Sequence, residues 1–262
     1  MPSKAPSRKI GLARALSKLG YCSRAQAVQL IRDGRVHWNG TVRRDPETPV
    51  HLESDSIAVD GQLIGAKQKI YLVMNKPRGL VTTASDEKGR ETVYSILASH
   101  SAPLPWLAPV GRLDKASEGL LLLTNDSEWA ARVAAPETHL PKTYHVQIDT
   151  TATDEIIQKI ERGVRSEDGE LLSARRCRLL RAGEKNCWLE VVLDEGRNRQ
   201  IRRMLSVLGV EVLRLVRITI GPLQLEQLQK GTWRYLTSDE KLALDRAMAK
   251  KSAQSNSPLG RF

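Results

Sequence analysis

The 262-residue chain is poor in aromatics, with one phenylalanine (Phe262), five tyrosines and five tryptophans. Its core must therefore be built of Leu, Val and Ile with a few Trp and Tyr. Three cysteines, Cys22, Cys177 and Cys187, are too few and too scattered for a disulfide framework or a Cys-x-x-Cys metal knuckle, and a reduced, cytoplasmic setting fits best. No Gly-Lys dipeptide occurs, which excludes a Walker A phosphate loop, and there is no His-Glu-x-x-His. Apolar runs such as Leu120–Leu123 fall far short of the ~20 residues a membrane span needs. No apolar segment follows Met1, so secretion has no support.

What the chain has is positive charge, with 41 Lys and Arg against 30 Asp and Glu, or +11 net. The excess is uneven. Residues 1–45 carry +8, residues 46–171 carry −6, residues 172–217 carry +6 and the remainder +3. Arginine dominates both basic regions, and its planar fork suits bidentate contact with phosphate. A polyanion, nucleic acid above all, is the expected partner.

The length fits one large or two modest domains. Residues 1–8 read as a disordered basic arm. Residues 9–66 read as a small helix-helix-strand unit, with helices over Leu12–Leu19 and Arg24–Asp33, the second capped by Ser23 and each ended by glycine. Hairpin turns follow at Asn39-Gly40 and Asp60-Gly61. After the linker Gly65–Lys69 the texture changes to many short strands with few helices, a second domain expected over residues 70–250. Strands are expected at Ile70–Met74, Leu120–Thr124, Lys142–Ile148, Arg175–Leu180, Cys187–Leu193, Glu211–Ile220 and Trp233–Leu236. Helices are expected near Glu128–Ala134, Asp154–Glu161, Asn198–Leu208 and Asp239–Lys250. The fold class is α+β, with a mixed, mostly antiparallel sheet flanked by helices. Residues 251–262 read as a disordered tail.

Three segments carry chemistry. In Gly111-Arg112-Leu113-Asp114-Lys115-Ala116-Ser117-Glu118-Gly119 a carboxylate sits in a turn between apolar stretches, with a cation on either side. Such an aspartate can serve as nucleophile or base, although a lone loop aspartate is usually a turn or cap residue. In Glu195-Gly196-Arg197-Asn198-Arg199-Gln200-Ile201-Arg202-Arg203-Met204, a helix from Asn198 puts Ile201, Met204, Leu205 and Leu208 on one apolar stripe. Arg199 and Arg203 then point to water, and Arg202 lies at the stripe's edge, able to pair with a carboxylate. In Lys142-Thr143-Tyr144-His145-Val146, Lys142 and Tyr144 share one face of a strand. A tyrosine there is either a core aromatic or a ring that stacks on a base.

With the Lys76-Pro77-x-Gly79 loop, these segments in this order and spacing resemble the RsuA/RluB-type bacterial ribosomal RNA pseudouridine synthases. The first 65 residues, with Gly-Tyr-Cys-Ser-Arg-Ala-Gln-Ala and Gly-Arg-Val-His-Trp-Asn-Gly, resemble the small ribosomal-protein-like RNA-binding domain that commonly precedes that catalytic domain. The resemblance spans about residues 9–237. It implies an isomerase that detaches a uridine base from its ribose nitrogen bond within RNA, rotates it and rejoins it through carbon, with no cofactor and no metal. The family's catalytic aspartate maps to Asp114, the base-packing tyrosine to Tyr144 and the arginine that pairs with the aspartate to Arg202. Arg112 matches the side chain that fills the gap when the uridine flips out. Lys76 and Lys142 match motif positions facing phosphate or serving the fold. RNA contacts are expected from Arg112, Lys76, Lys142, Arg197, Arg199 and Arg203, and from Arg14, Ser23, Arg24 and Arg35 of the first domain. Ribosomal RNA is the expected partner, with the large subunit favoured over the small, no membrane is involved, and a monomer is expected.

Two rivals differ in class. A non-catalytic RNA-binding factor would have no need of Asp114, Tyr144 and Arg202 together. A hydrolase built on Asp114 would need an acid partner, and Glu118, four residues on in a turn, has no assured geometry for that role.

Overall fold

The computed structural model describes residues 9–83, 86, 88–98 and 104–255. The expected terminal arm and the end of the expected tail lie outside the described residues. Contacts group the chain into two units. Of the described residues, one takes 9–71 with 104–108 and 123–127, and the other takes the rest.

In the first unit β1 (Ile10–Gly11) leads into α1 (Leu12–Lys18), and α2 (Arg24–Arg32) follows. Ser23 starts α2 with a reciprocal cap: its hydroxyl accepts from the Gln26 amide at 3.1 Å, and its own amide donates to Gln26 Oε1 at 3.0 Å. Such a cap contributes ~1 kcal/mol. β2 (Val36–Trp38), β3 (Thr41–Val42), β4 (Pro49–Val50), β5 (Ile57–Val59) and β6 (Gln62–Leu63) complete the unit. Four of these strands form a sheet in the order β3-β2-β5-β6, and β4 pairs with β1. Both expected turns have two residues at positive φ, Asn39-Gly40 at 48° and 79° and Asp60-Gly61 at 50° and 80°, which fits the right-handed twist of a tight hairpin. Leu12, Leu16, Ala27, Ile31, Val36, Val50, Ile57 and Val59 fill the core. The pairing of β1 with β4 has no signal in the sequence, because each strand is only two residues long.

The second architecture is a nine-stranded sheet. Its members are β7 (Tyr71–Lys76), β8 (Ala108–Val110), β9 (Glu118–Thr124), β10 (Lys142–Ile148), β13 (Arg176–Ala182), β14 (Cys187–Leu193), β15 (Val212–Ile220), β16 (Leu223–Gln224) and β17 (Trp233–Tyr235). The order is β13-β14-β10-β15-β9-β7-β17, with β16 beside β15 and β8 beside β9. β15 runs parallel to β9, while β13–β14, β14–β10, β10–β15 and β7–β17 are antiparallel, so the sheet is mixed and mostly antiparallel as expected. A small hairpin, β11 (Val164–Arg165) with β12 (Leu171–Leu172), stands apart from it.

The helices are α3 (Tyr94–Ala98), α4 (Ser127–Ala134), α5 (Asp154–Arg162), α6 (Gln200–Val207) and α7 (Ser238–Ser255). The short α3 was not anticipated, and α7 runs five residues past Lys250. Every residue of β9 is buried, Leu120 to Leu123 completely. Each such leucine stabilises the fold by roughly 2 kcal/mol. Trp129 of α4 is 1% exposed, and its indole N–H donates to Asp245 of α7 at 2.9 Å.

Candidate active site

Asp114 stands in the turn between β8 and β9, and the turn is held by hydrogen bonds to its backbone. Ser117 N donates to Asp114 O at 2.9 Å, Gly79 N to Lys115 O at 2.7 Å, and the Thr82 hydroxyl to Leu113 O at 2.7 Å. Lys76, the last residue of β7, has no exposed surface. Its ammonium donates to the carbonyls of Pro77, Ser117 and Asp114 at 3.0, 2.9 and 3.2 Å. Burial pushes its pKa down to about 8, partly offset by Asp114 and Glu118. This corrects the expectation that Lys76 contacts RNA: all three donors are spent inside, and no phosphate can reach them. Lys76 ties β7 to the Asp114 turn instead.

The facing wall comes from β10 and β15. Tyr144 lies opposite Arg217, and the register slips between Thr143 and Tyr144, a bulge that re-aims the side chains beside it. Tyr144 is 8% exposed, Lys142 is half-buried, and both line one cavity of about 670 Å³ with Asp114, Arg112, Arg199 and Arg217. That volume suits a small ligand or a nucleotide. Arg112 is exposed at its rim. Gly119 is required behind it: its φ is +101°, and a Cβ there would stand 2.2 Å from Arg217 O. The parallel contact of β9 with β15 depends on that close approach.

The arginine segment differs from its expectation. α6 begins at Gln200 rather than Asn198, because Arg199 adopts a left-handed conformation (φ 50°) at its N-terminus. That kink turns Arg199 toward the cavity, where Nη1 stands 3.6 Å from Asp114 Oδ2. Arg202 does not ion-pair with Asp114 directly. Its Nη2 donates to Ala116 O at 3.2 Å and its Nη1 to Val212 O at 3.1 Å, while its buried Nε has no partner among the described residues. Burial and the nearby Arg199 lower its pKa, whereas Asp114 raises it. It therefore holds the Asp114 turn and adds its charge there without touching the carboxylate.

Arg197 and Arg203 face the β11–β12 hairpin. Arg203 binds Glu170 at 2.7 Å and Asp168 at 2.5 Å, and Arg197 binds Glu170 and Glu195 at 2.8 Å each. In the first unit Arg14, Arg24 and Arg35 are exposed, and Arg35 is joined to Asp60 at 2.5 Å. Ser23 is occupied by its cap.

One residue of the cavity escaped the sequence reading. Arg217 is 5% exposed, its Nε donates to Leu120 O at 2.7 Å, and its buried Nη2 has no partner among the protein groups described. An arginine on the inward parity of a strand between Leu215 and Ile220 was the available signal. Among the described residues no group of three His, Cys, Asp or Glu is placed to hold a metal.

Residues 70–207 match the family model for RNA pseudouridylate synthase, and residues 10–57 match the S4 domain. An uncharacterized RNA pseudouridine synthase of Aquifex aeolicus (strain VF5) is 35% identical over 244 residues, covering 93% of this chain and 96% of that protein. Ribosomal large subunit pseudouridine synthase B of Bacillus subtilis (strain 168) is 36% identical over 232 residues, covering 87% and 93%. A crystal structure of a pseudouridylate synthase superposes with a TM-score of 0.61 at 28% identity, over 90% of this chain and 99% of that one.

Proposed function

The chain belongs to the RNA pseudouridine synthase family, isomerases here preceded by an S4 domain, and from that premise we propose that it converts a specific uridine of large-subunit ribosomal RNA to pseudouridine, with Asp114 as the essential carboxylate. The uridine leaves its stack at a cost of a few kcal/mol. Tyr144 packs on the flipped base, and Arg112 fills the space it vacates. The bond from N1 to the ribose breaks, the base rotates, and C5 bonds to the same ribose carbon. C5 loses its proton and N1 gains one, so the reaction is redox-neutral and product and substrate have the same atoms.

In this reading Asp114 acts on the detaching nucleoside, and Arg199, Arg202 and Arg217 supply preorganised positive charge around it. Lys142 lies beside Tyr144 to meet the phosphate of the reacting nucleotide. The S4 domain, bounded at the 65–69 linker, grips the RNA through Arg14, Arg24 and Arg35, and the protein works as a monomer in the cytoplasm. The observation that carries the reading is that Asp114 and Tyr144 line one nucleotide-sized cavity. The large-subunit assignment leans on the name of the Bacillus subtilis relative.

Asp114→Asn is expected to lower pseudouridine formation more than a thousandfold while leaving melting temperature and RNA affinity unchanged. A variant that still converts uridine would sink the assignment. Mapping pseudouridine in ribosomal RNA from cells with and without the gene is expected to reveal one lost position in the large subunit; a loss in the small subunit would overturn that part.

A further inference from the structure

The sheet has a second functional-looking face, opposite the cavity. Tyr144 and Val146 of β10 point to the cavity side, so His145 and Gln147 point away. Register extends this face across four strands. Arg178, Glu190, His145 and Val216 form one row, and Arg181, Trp188, Gln147 and Arg214 form the next. Arg176 and Arg178 both bind Glu190, at 2.9 and 2.8 Å. Arg214 and Lys230 both bind Glu118. Four cations thus meet two carboxylates, and both carboxylates are sunk beneath them, 9% and 4% exposed against 42% to 59% for their partners. Outward, the face presents positive charge.

Trp188 sits in its middle, with the Arg181 and Arg214 guanidinium carbons 5.0 and 5.5 Å from the ring centroid. These side chains, with His145, Leu180 and Val216, line a cleft of about 350 Å³. The solvated face of an antiparallel sheet ordinarily carries small polar or mixed charged residues. A tryptophan between two arginines, beside a cleft, is instead the composition of a stacking platform with phosphate contacts.

We propose that this cleft binds a second, single-stranded stretch of the RNA, remote from the reacting uridine. A base enters against Trp188 and His145, and its flanking phosphates lie on Arg181 and Arg214. An acidic protein would match the charge but leave the ring and the cleft unused. The site adds affinity for a large structured RNA without entering the chemistry, since it lies across the sheet from Asp114.

The test uses the full chain and a 30-nucleotide oligouridylate carrying 4-thiouridine. Ultraviolet crosslinking followed by peptide mapping is expected to mark the segment holding Trp188, in the wild type and equally in Asp114→Asn, which separates this site from the catalytic assignment. Arg181→Glu should abolish that crosslink, weaken affinity about tenfold and reduce the slope of log affinity against log salt by ~0.7 to 1.4, one or two phosphates. Its turnover on saturating ribosomal RNA transcript should be unchanged. If Arg181→Glu lowers the melting temperature, Arg181→Gln provides the same readout. Crosslinks confined to other segments, or an unchanged affinity and salt slope, overturn the proposal. Polyglutamate displacing the crosslink as well as unlabelled RNA would also overturn it, assigning the face to an acidic protein.

Discussion

Cations inside the second unit and cations on its surface do opposite work. Lys76, Arg202 and Arg217 donate to backbone carbonyls: those of Pro77, Asp114 and Ser117, of Ala116 and Val212, and of Leu120. Arg197 and Arg203 bind the carboxylates of Glu170, Glu195 and Asp168. A carbonyl satisfies a donor without cancelling its charge, so Lys76 and Arg202 shape the Asp114 turn and still add positive potential there, while Arg217 is fixed to β9. A carboxylate cancels the charge, and at the surface it can be exchanged for a phosphate. The same residue types, sometimes adjacent in the chain as with Arg202 and Arg203, bind backbone carbonyls on one side and carboxylates on the other.

The largest effect is expected at Lys76. Lys76→Met keeps the length of the side chain and removes three hydrogen bonds, leaving three carbonyls short of a donor. Stability should fall by ~3 kcal/mol. Pseudouridine formation should fall at least a hundredfold even where the variant is fully folded. Denaturant unfolding and single-turnover rates measure the two, and a folded variant with wild-type rate would show that the turn holds itself.

The pH dependence of the same residue is a smaller effect. Its value is pushed down to about 8 by burial, below the ordinary 10.5 of the unfolded chain. The folded protein therefore sheds this proton first, and stability rises with pH across the window from about 8 to 10.5, having been penalised by the buried charge below it. Catalysis should move the other way. The neutral amine has two N–H groups for three carbonyls, so the rate should decline as pH rises through about 8. Rate and stability changing in the same direction, or a pH profile identical in Lys76→Met, would remove Lys76 as the cause.

Much of this was legible beforehand, for identifiable reasons. The capping serine of α2, the Asn-Gly and Asp-Gly hairpins and the leucine run of β9 are local signals, and local structure follows them. Asp114 and Tyr144 were singled out because their neighbours in the chain repeat a family pattern, and the fold brings both to one cavity. The partners were not legible. Whether an arginine meets a carboxylate or a carbonyl depends on what the fold brings across from other strands: Ala116 and Val212 lie 86 and 10 residues from Arg202. The left-handed position before α6 is an arginine, Arg199, rather than a glycine or asparagine, and it shifts the start of α6 and brings Arg199 rather than Arg202 toward Asp114. Ile201, Met204 and Leu205 are buried as the helical spacing predicts, while Arg199, expected to point to water, is turned toward Asp114.

The smallest effect is expected at the surface arginines. Arg203 is 25% exposed, and its partner Asp168 is held below the usual carboxylate range by the Ser166 hydroxyl and by Arg203 itself. Solvent screens exposed pairs of this kind, so the double variant Asp168→Asn, Glu170→Gln should cost little stability. Its effect on RNA has a sign that separates two roles. If Arg197 and Arg203 are phosphate ligands held in reserve, RNA must displace Asp168 and Glu170 to reach them, and removing that competition should tighten binding a few-fold at low salt and steepen the salt dependence, because more phosphates are then neutralised. If the arginines only fasten the β11–β12 hairpin to α6, affinity should stay level or fall as the hairpin loosens. Fluorescence anisotropy against ribosomal RNA fragments over a salt series distinguishes the two, and a fall in affinity would place Arg197 and Arg203 with the scaffold.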